Sequence, residues 1–221
     1  MPRDLHDRAQ RRREVERIAA AAARRFEGGR ADSIEQAIDA AMAMESSEPG
    51  HRRLDRPTAN QVRRHLQALA QERLGLEGYR AELAAILRIA SEAMELLERR
   101  VPDCRTQLVG RAAAGRLDGE VELHIRAATR VPIGTLAEAI VSEGFEEPRF
   151  EVVEARCGRL DRLCFDQDGV EVRVTRCHPR QVTLAREDLV TGRPVEVLEL
   201  AELERVIEAL DAGEDGFRVV R

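Results

Sequence analysis

Three polar residues alternate with apolar ones in the second half of the chain, and two of them are types that hold metal ions through oxygen. Glu120, Glu122 and His124 are each separated by one apolar residue. Side chains two apart on a β-strand share a face, and we predict a strand over 120–125. Carboxylate oxygens suit Mg²⁺, whereas an imidazole is a poor ligand for so hard a cation. The pattern allows an acidic pair at Glu120 and Glu122, or a shifted pair of Glu122 with His124.

A later predicted strand, 170–176, carries both an acid and a cation at alternate positions. If Glu171 faces the first pair, three carboxylates meet and a divalent metal ion can bind. If Arg173 takes that position instead, its guanidinium repels Mg²⁺ by several kcal/mol in a partly buried site. The alternation also suits an ordinary solvated edge strand, and His124 also suits a structural hydrogen bond. The sequence leaves these readings open.

The part of the chain that precedes these strands is predicted to be helical. Apolar residues recur at helical spacing in three segments, over about 4–25, after a cap at Asp32 or Ser33, and from Thr58 or Asn60 onward. Gly75 and Gly78 are expected to punctuate the third. A fourth helix, about 80–100, has the most continuous apolar stripe in the chain and needs a partner to pack against. The stripe comprises Leu83, Ile86, Leu87, Ala90, Met94 and Leu97.

From Thr106 the apolar spacing changes to alternation or short runs, which is typical of strands. Strands are predicted over 106–109, 120–125, 149–155, 162–165 and 170–176, and helices over 132–143 and 200–210. Asp168 and Gly169 predict a tight hairpin between the last two strands.

The expected fold class is therefore α+β. A helical N-terminal region, 1–78, precedes a small mixed sheet with flanking helices, 79–211, and a C-terminal tail, 212–221.

Composition narrows the function classes. The 221 residues are 43% hydrophobic, enough to form a core, and no apolar run reaches the roughly 18 residues of a membrane span. The N-terminus lacks an apolar secretory core, so we expect a cytoplasmic protein without a membrane partner. All the cationic residues are Arg, and the formal net charge is −5. An acidic balance disfavours duplex nucleic acid as a partner.

The four cysteines are expected to be free thiols. Cys157, Cys164 and Cys177 could be drawn with His178 as a zinc quartet, but their spacing fits no paired knuckle motif. Together with Cys104 they are better explained as small apolar side chains.

Taken in order, these elements resemble the core of the DNA polymerase beta-like nucleotidyltransferase superfamily. Its members have a helix, a strand ending in a hydrophobic residue and Gly, a strand with two alternating acids, a helix, and a later strand with a third acid. The counterparts here are helix 80–100, Val109 with Gly110, strand 120–125, helix 132–143 and strand 170–176. The similarity covers about 80–200. The chain also looks like a group of bacterial nucleotidyltransferase-like proteins of unassigned function, which share its helical leader and its closing segment at 190–194.

The resemblance implies roles for particular residues. An active member would use Glu120, Glu122 and Glu171 on Mg²⁺ to transfer a nucleotidyl group. The metal ligands would come from Glu120, Glu122 and His124 in this strand.

The resemblance also places Gly110 and Arg111 at the nucleotide. Members have a small Ser or Gly where Arg111 stands, so this chain departs from the pattern there as well as at His124 and Arg173.

Three functions follow as hypotheses. The first is a nucleotidyltransferase-fold protein with an eroded metal site that binds a ligand, such as a nucleotide, or a protein partner through its N-terminal helices. The second is an active metal-dependent nucleotidyltransferase. The third is a structural helical adaptor with no ligand site and no cleft beside Gly110.

Overall fold

The computed structural model describes most of the chain. The described residues are 2–46, 55–117, 122–145, 148–180 and 186–213, without the side chains of residues 2–7 and 46. Within this part of the chain, five helices and six strands form, and the strands make one mixed sheet. The predicted α+β class is confirmed.

A glycine interrupts the longest helical segment. Helix α3 (Ala59–Arg100) runs through Gly75, whose φ of 69° and ψ of 173° are not helical and are readily adopted only by glycine. The chain divides into two compact units at this residue, Met1–Gly75 and Leu76–Arg221. Gly78, which was expected to punctuate the helix as well, lies within it. An interior glycine costs a helix only about 1 kcal/mol and need not end it.

The predicted division between 78 and 79 lies close to this point. The predicted C-terminal tail, 212–221, falls almost entirely outside the described residues.

The first unit consists of helices around one apolar core. It contains α1 (Pro2–Glu27), α2 (Ile34–Ser46) and the part of α3 before Gly75. Its buried core includes the positions predicted from helical spacing, among them Ile18, Ala22, Ile38, Val62 and Leu66. The Ser33 hydroxyl accepts a 3.1 Å hydrogen bond from the N–H of Gln36, so Ser33 caps α2, one of the two predicted caps.

The second unit contains the remainder of α3 and the whole sheet. Its further elements are β1 (Arg105–Val109), β2 (Glu122–Ala128), α4 (Ile133–Ser142), β3 (Arg149–Ala155), β4 (Gly158–Gln167), β5 (Val170–Cys177), β6 (Val197–Glu199) and α5 (Leu200–Asp211). The strand order is β3-β4-β5-β2-β1-β6. Among the described strands, β2 and β5 pair in parallel and the other neighbours are antiparallel.

Three strands differ from the prediction, and the first is β2, which continues to Ala128 beyond the predicted end at 125. Strand β4 is much longer than the predicted 162–165, because its exposed charged ends pair with β3 although they lack an apolar pattern. Strand β6 was not predicted, since three residues are too few to show a period, and its pairing with β1 defines it. The predicted hairpin is confirmed: Asp168 and Gly169 both have positive φ, 53° and 77°, as a tight turn requires.

Helices cover one face of the sheet. The N–H and hydroxyl of Thr106 on β1 each donate a 2.7 Å bond to Glu98 of α3, and Gln167 on β4 donates to Glu92 of the same helix. Asp211 of α5 in turn accepts a 2.5 Å bond from Arg88. The apolar residues on this face of the sheet are buried: Leu108, Leu123, Ile125, Leu163, Phe165, Val172 and Val174. The predicted stripe of α3 is buried as well.

One residue of helix α4 that was predicted to be buried, Val141, is exposed. Its predicted apolar face included Ile140 and Val141, and Ile140 is buried, but Val141 is 48% exposed. The two residues are consecutive and about 100° apart around a helix, so the sheet covers only one of them.

Tyr79 connects α3 to the turn that follows β1. Its hydroxyl donates to the carbonyl of Gly115 at 3.1 Å and accepts the N–H of Leu117 at 3.0 Å, and both bonds are buried. The turn starts at Gly110, so this tyrosine helps to position the end of β1. No helix in the described ranges is long and apolar enough to cross a membrane.

Replacing Tyr79 with Phe should destabilise the protein. The change leaves the buried Leu117 N–H and Gly115 carbonyl without the hydroxyl, which should cost about 1–3 kcal/mol of unfolding free energy. Urea unfolding measures the loss, and hydrogen exchange should show faster exchange of the Leu117 amide. The control is Arg159→Ala, which removes an ion pair between exposed side chains and should cost less than about 1 kcal/mol. Equal effects of the two variants would contradict the assignment.

Candidate functional site

The described candidate residues of strands β2 and β5 lie on the face of the sheet opposite the helices. Strands β2 and β5 run side by side there, and their register pairs Glu122 with Glu171 and His124 with Arg173. All four side chains share this face because each lies two residues from its partner on the same strand. The sequence left open whether Glu171 or Arg173 would face the residues of β2. In the structure both do: the acid Glu171 lies beside Glu122, and the cation Arg173 lies beside the imidazole of His124.

Arg173 bridges the two carboxylates. Its Nη1 lies 3.1 Å from Oε2 of Glu122, and its Nη2 lies 2.5 Å from Oε2 of Glu171. Its Nε donates a further bond of 2.8 Å to Glu171. Arg149 of β3 donates to the other oxygen of Glu171 at 2.6 Å. We call Glu122, His124, Arg149, Glu171 and Arg173 the arginine–carboxylate cluster.

Two members of the cluster, Glu171 and Arg173, keep their charges at neutral pH. Burial alone would raise the pKa of Glu171, but hydrogen bonds and positive charge from Arg173 and Arg149 outweigh it and lower that pKa. Burial likewise opposes the charge on Arg173, and its bond to Glu171 together with the charge of Glu122 raises its pKa. Both groups therefore remain ionised at neutral pH.

His124 is neutral under the same conditions. Burial is the largest cause that lowers its pKa; the carboxylate of Glu122 opposes this, and positive charges nearby add to it. Those charges are Arg162, Arg173 and Arg111. The ring Nε2 lies 3.3 Å from Oε2 of Glu122. A neutral imidazole carries one N–H donor and one acceptor nitrogen.

The described residues do not fit a Mg²⁺ site. Within them, no group of three or more His, Cys, Asp or Glu side chains is placed to hold a metal ion. The two carboxylates that meet, Glu122 and Glu171, share the guanidinium of Arg173. Glu120, the remaining predicted ligand, lies outside the described residues.

Gly110 and Arg111 occupy the turn after β1. Gly110 has a φ of 88°, which favours glycine, but a Cβ there would meet nothing within 4 Å. Its N–H donates to the carbonyl of Glu196 at 3.0 Å, so this amide is already used. Arg111 follows in the same turn and adds positive potential at His124.

The cysteines do not form a metal site among the described residues. All four are free, and Cys157 alone is exposed. Burial raises the pKa of Cys104 to about 12 and those of Cys164 and Cys177 to about 11. The buried cysteines are therefore unreactive thiols, as expected.

A cleft of about 150 Å³ lies beside the cluster on the same face. Its lining includes Gly110, His124, Arg162 and Thr175. No sequence pattern points to Arg162 or Thr175, because a single Arg at the start of a predicted strand is typical of a solvated position. Only the pairing of Arg162 with Thr175 across β4 and β5 brings them together.

Comparison with known proteins adds little. No protein-family model and no curated protein matches the chain. Among solved structures, the chain is similar to a cytoplasmic RNA terminal U-transferase, with a TM-score of 0.34 and 15% sequence identity. The similarity covers 51% of this chain and 34% of the other, so this chain spans about a third of that protein's length. Likeness at this level supports no conclusion about the fold family, the activity or the substrate of this chain.

Replacing Arg173 with Met should destabilise the protein at neutral pH and flatten its response to acid. The pKa of Glu171 is lowered on folding, so its contribution is present above the unfolded pKa and is lost as pH falls through the folded pKa. Without Arg173 that contribution shrinks, and we expect a loss of about 1–3 kcal/mol at pH 7 that fades below about pH 4.

The matched control is Arg149→Met, which removes the other partner of Glu171. Its side chain is 70% exposed, so we expect a loss of less than about 1 kcal/mol. Urea unfolding at a series of pH values measures both. The interpretation fails if Arg173→Met keeps the wild-type acid dependence.

Proposed function

We propose that the unit Leu76–Arg221 is a nucleotidyltransferase-fold domain that no longer performs metal-dependent transfer and instead binds a ligand. The observation that carries the proposal is the position of Arg173. Its guanidinium lies between Glu122 and Glu171, where two carboxylates on neighbouring strands would otherwise face one divalent cation.

The charge balance of the cluster supports this role. The guanidinium of Arg173 already pairs with both acids and donates a directional hydrogen bond to Glu171. A metal ion would have to displace it, and the displaced charge of Arg173 would then repel the metal. The order of helix, strand and turn around Gly110 is the order the resemblance implies.

The other two hypotheses fare differently. An active enzyme would need Glu120, whose placement is not described, to compensate for the missing carboxylate near Glu122 and Glu171. A purely structural adaptor was expected to have no cleft beside Gly110, and the cleft that borders this residue favours ligand binding. Docking of a protein partner by the N-terminal helices and a cytoplasmic location remain part of the proposal.

A binding role without metal predicts nucleotide or phosphate stabilisation that is insensitive to EDTA. A ligand at 100 times its Kd adds about 2.7 kcal/mol of stability, which thermal unfolding detects easily. The protein is tested against the four nucleoside triphosphates with Mg²⁺, with Mn²⁺ and with EDTA, and a labelled triphosphate reports transfer. Mg²⁺-dependent transfer that disappears in Glu122→Gln would refute the proposal.

Removing the cation of the cluster should create a metal site. In Arg173→Ala the acids Glu122 and Glu171 lose their shared counter-ion while His124 remains beside them, so we expect Mn²⁺ affinity to rise by about tenfold or more. Titration followed by electron paramagnetic resonance measures free Mn²⁺. Arg149→Ala is the control, because it leaves Arg173 in place and should bind Mn²⁺ like the wild type. Unchanged affinity in Arg173→Ala would show that Arg173 does not occupy the cation position.

A further inference from the structure

The cleft beside the cluster has a sheet for its floor. Arg126, Thr175 and Arg162 form a row across β2, β5 and β4, since Thr175 is in register with both arginines. Polar groups therefore line the centre of the floor, and apolar side chains surround them. These are Val109, Val153, Leu160 and Val195.

The segment 186–195 forms the opposite wall, and its own hydrogen bonds hold it in place. Arg126 is 4% exposed and donates through Nη2 to the carbonyl of Glu187 at 2.6 Å. The N–H of Val195 donates to the carbonyl of Arg186 at 2.9 Å. The N–H of Arg156 donates to the carbonyl of Leu189 at 2.8 Å, which ties the segment to the turn between β3 and β4. The cleft is therefore bounded by fixed backbone.

The one carboxylate in the lining is engaged by its own loop. Oδ1 of Asp188 accepts bonds from the N–H of Val190 at 3.2 Å and from the N–H and hydroxyl of Thr191 at 2.6 and 2.8 Å. Those bonds outweigh burial and lower the pKa of Asp188. Asp188 also contributes to the electrostatics of Arg126, so its charge is balanced within the cleft.

Arg162 also lines the cleft. Its Nε donates to the Thr175 hydroxyl at 3.1 Å, and among the described residues it has no carboxylate partner. Other arginines on the same sheet do have one: Arg149 pairs with Glu171, Arg159 with Glu154 and Arg173 with both cluster acids. A half-buried guanidinium that lacks an anion is unfavourable, and its two Nη groups offer the planar fork that oxyanions occupy.

We propose that this cleft binds a phosphate-class oxyanion without metal, held by the Arg162 fork and the Thr175 hydroxyl. Thr175 accepts from Arg162 and keeps its own hydrogen to donate to an anion oxygen. A volume near 150 Å³ matches cavities that hold about six heavy atoms, which suits a phosphate group and excludes a whole nucleotide. The bound group is either inorganic phosphate or the terminal phosphate of a larger ligand whose remaining atoms lie outside the cleft. This inference rests on the proposed ligand-binding function.

Phosphate titration in EDTA tests the inference. Isothermal titration of the full chain with inorganic phosphate at constant ionic strength should show saturable binding, and Arg162→Gln should weaken it by about tenfold or more. Arg162→Lys should recover part of the loss, because it restores the charge but not the fork. Arg159→Gln on the same strand is the matched control and should change affinity less than about twofold. Circular dichroism verifies that each variant is folded.

A second variant guards against a misfolded Arg162→Gln. Thr175→Val keeps the shape of the side chain, removes the hydroxyl that orients Arg162, and should also weaken phosphate binding.

Titration with a nucleoside monophosphate identifies the source of the phosphate group: tighter binding than inorganic phosphate assigns a larger phosphorylated ligand, and equal binding assigns free phosphate. The inference is overturned if the wild type binds neither, or if Arg159→Gln loses as much affinity as Arg162→Gln. Nucleotidyl transfer with Mg²⁺ would refute the proposed function and not the phosphate site. The phosphate titrations are made in EDTA, so their result does not depend on the transfer assay.

Discussion

The guanidinium of Arg173, shared by two carboxylates, determines what the polar face of the sheet can do. Glu122 and Glu171 face each other across the parallel pair β2 and β5 and repel each other without a cation between them. Here the protein supplies that cation as a side chain, fixed by a 2.5 Å contact and a 3.1 Å contact. An internal cation is always present, whereas a metal ion depends on its concentration. The arrangement therefore keeps both acids ion-paired at any metal concentration.

Two arginines on this face of the sheet, Arg173 and Arg162, differ in their hydrogen-bond and ion-pair partners. Arg173 is fully paired, whereas Arg162, on the neighbouring strand β4, has only a hydroxyl partner among the described residues. His124 lies near both charges and is kept neutral by burial and by those arginines. The face thus separates a closed ion-paired cluster from an adjoining cleft whose positive charge is available. Metal-free binding of an anion is a physically coherent use of that separation.

Much of the architecture was predictable from local pattern. The helical stripe from Leu83 to Leu97 and the core positions around Ile18 and Ile38 follow from a period that the sequence repeats. The hairpin at Asp168 and Gly169 follows from the positive φ that those residue types tolerate. Short or charged strands were not predictable, because β6 and the ends of β4 are defined by neighbours and not by their own residues.

The sequence by itself determined the residue types of the candidate site, the alternation that puts Glu122 with His124 and Glu171 with Arg173 on common faces, and the α+β class. It could not decide whether Glu171 or Arg173 would face the first acid, because register between strands far apart in sequence depends on the whole sheet. Tertiary structure decided that point by pairing Glu122 with Glu171 and letting the long side chain of Arg173 reach both. It also decided the cleft, since Arg162, Thr175 and the segment 186–195 come from three separate stretches of chain that meet only in the folded sheet.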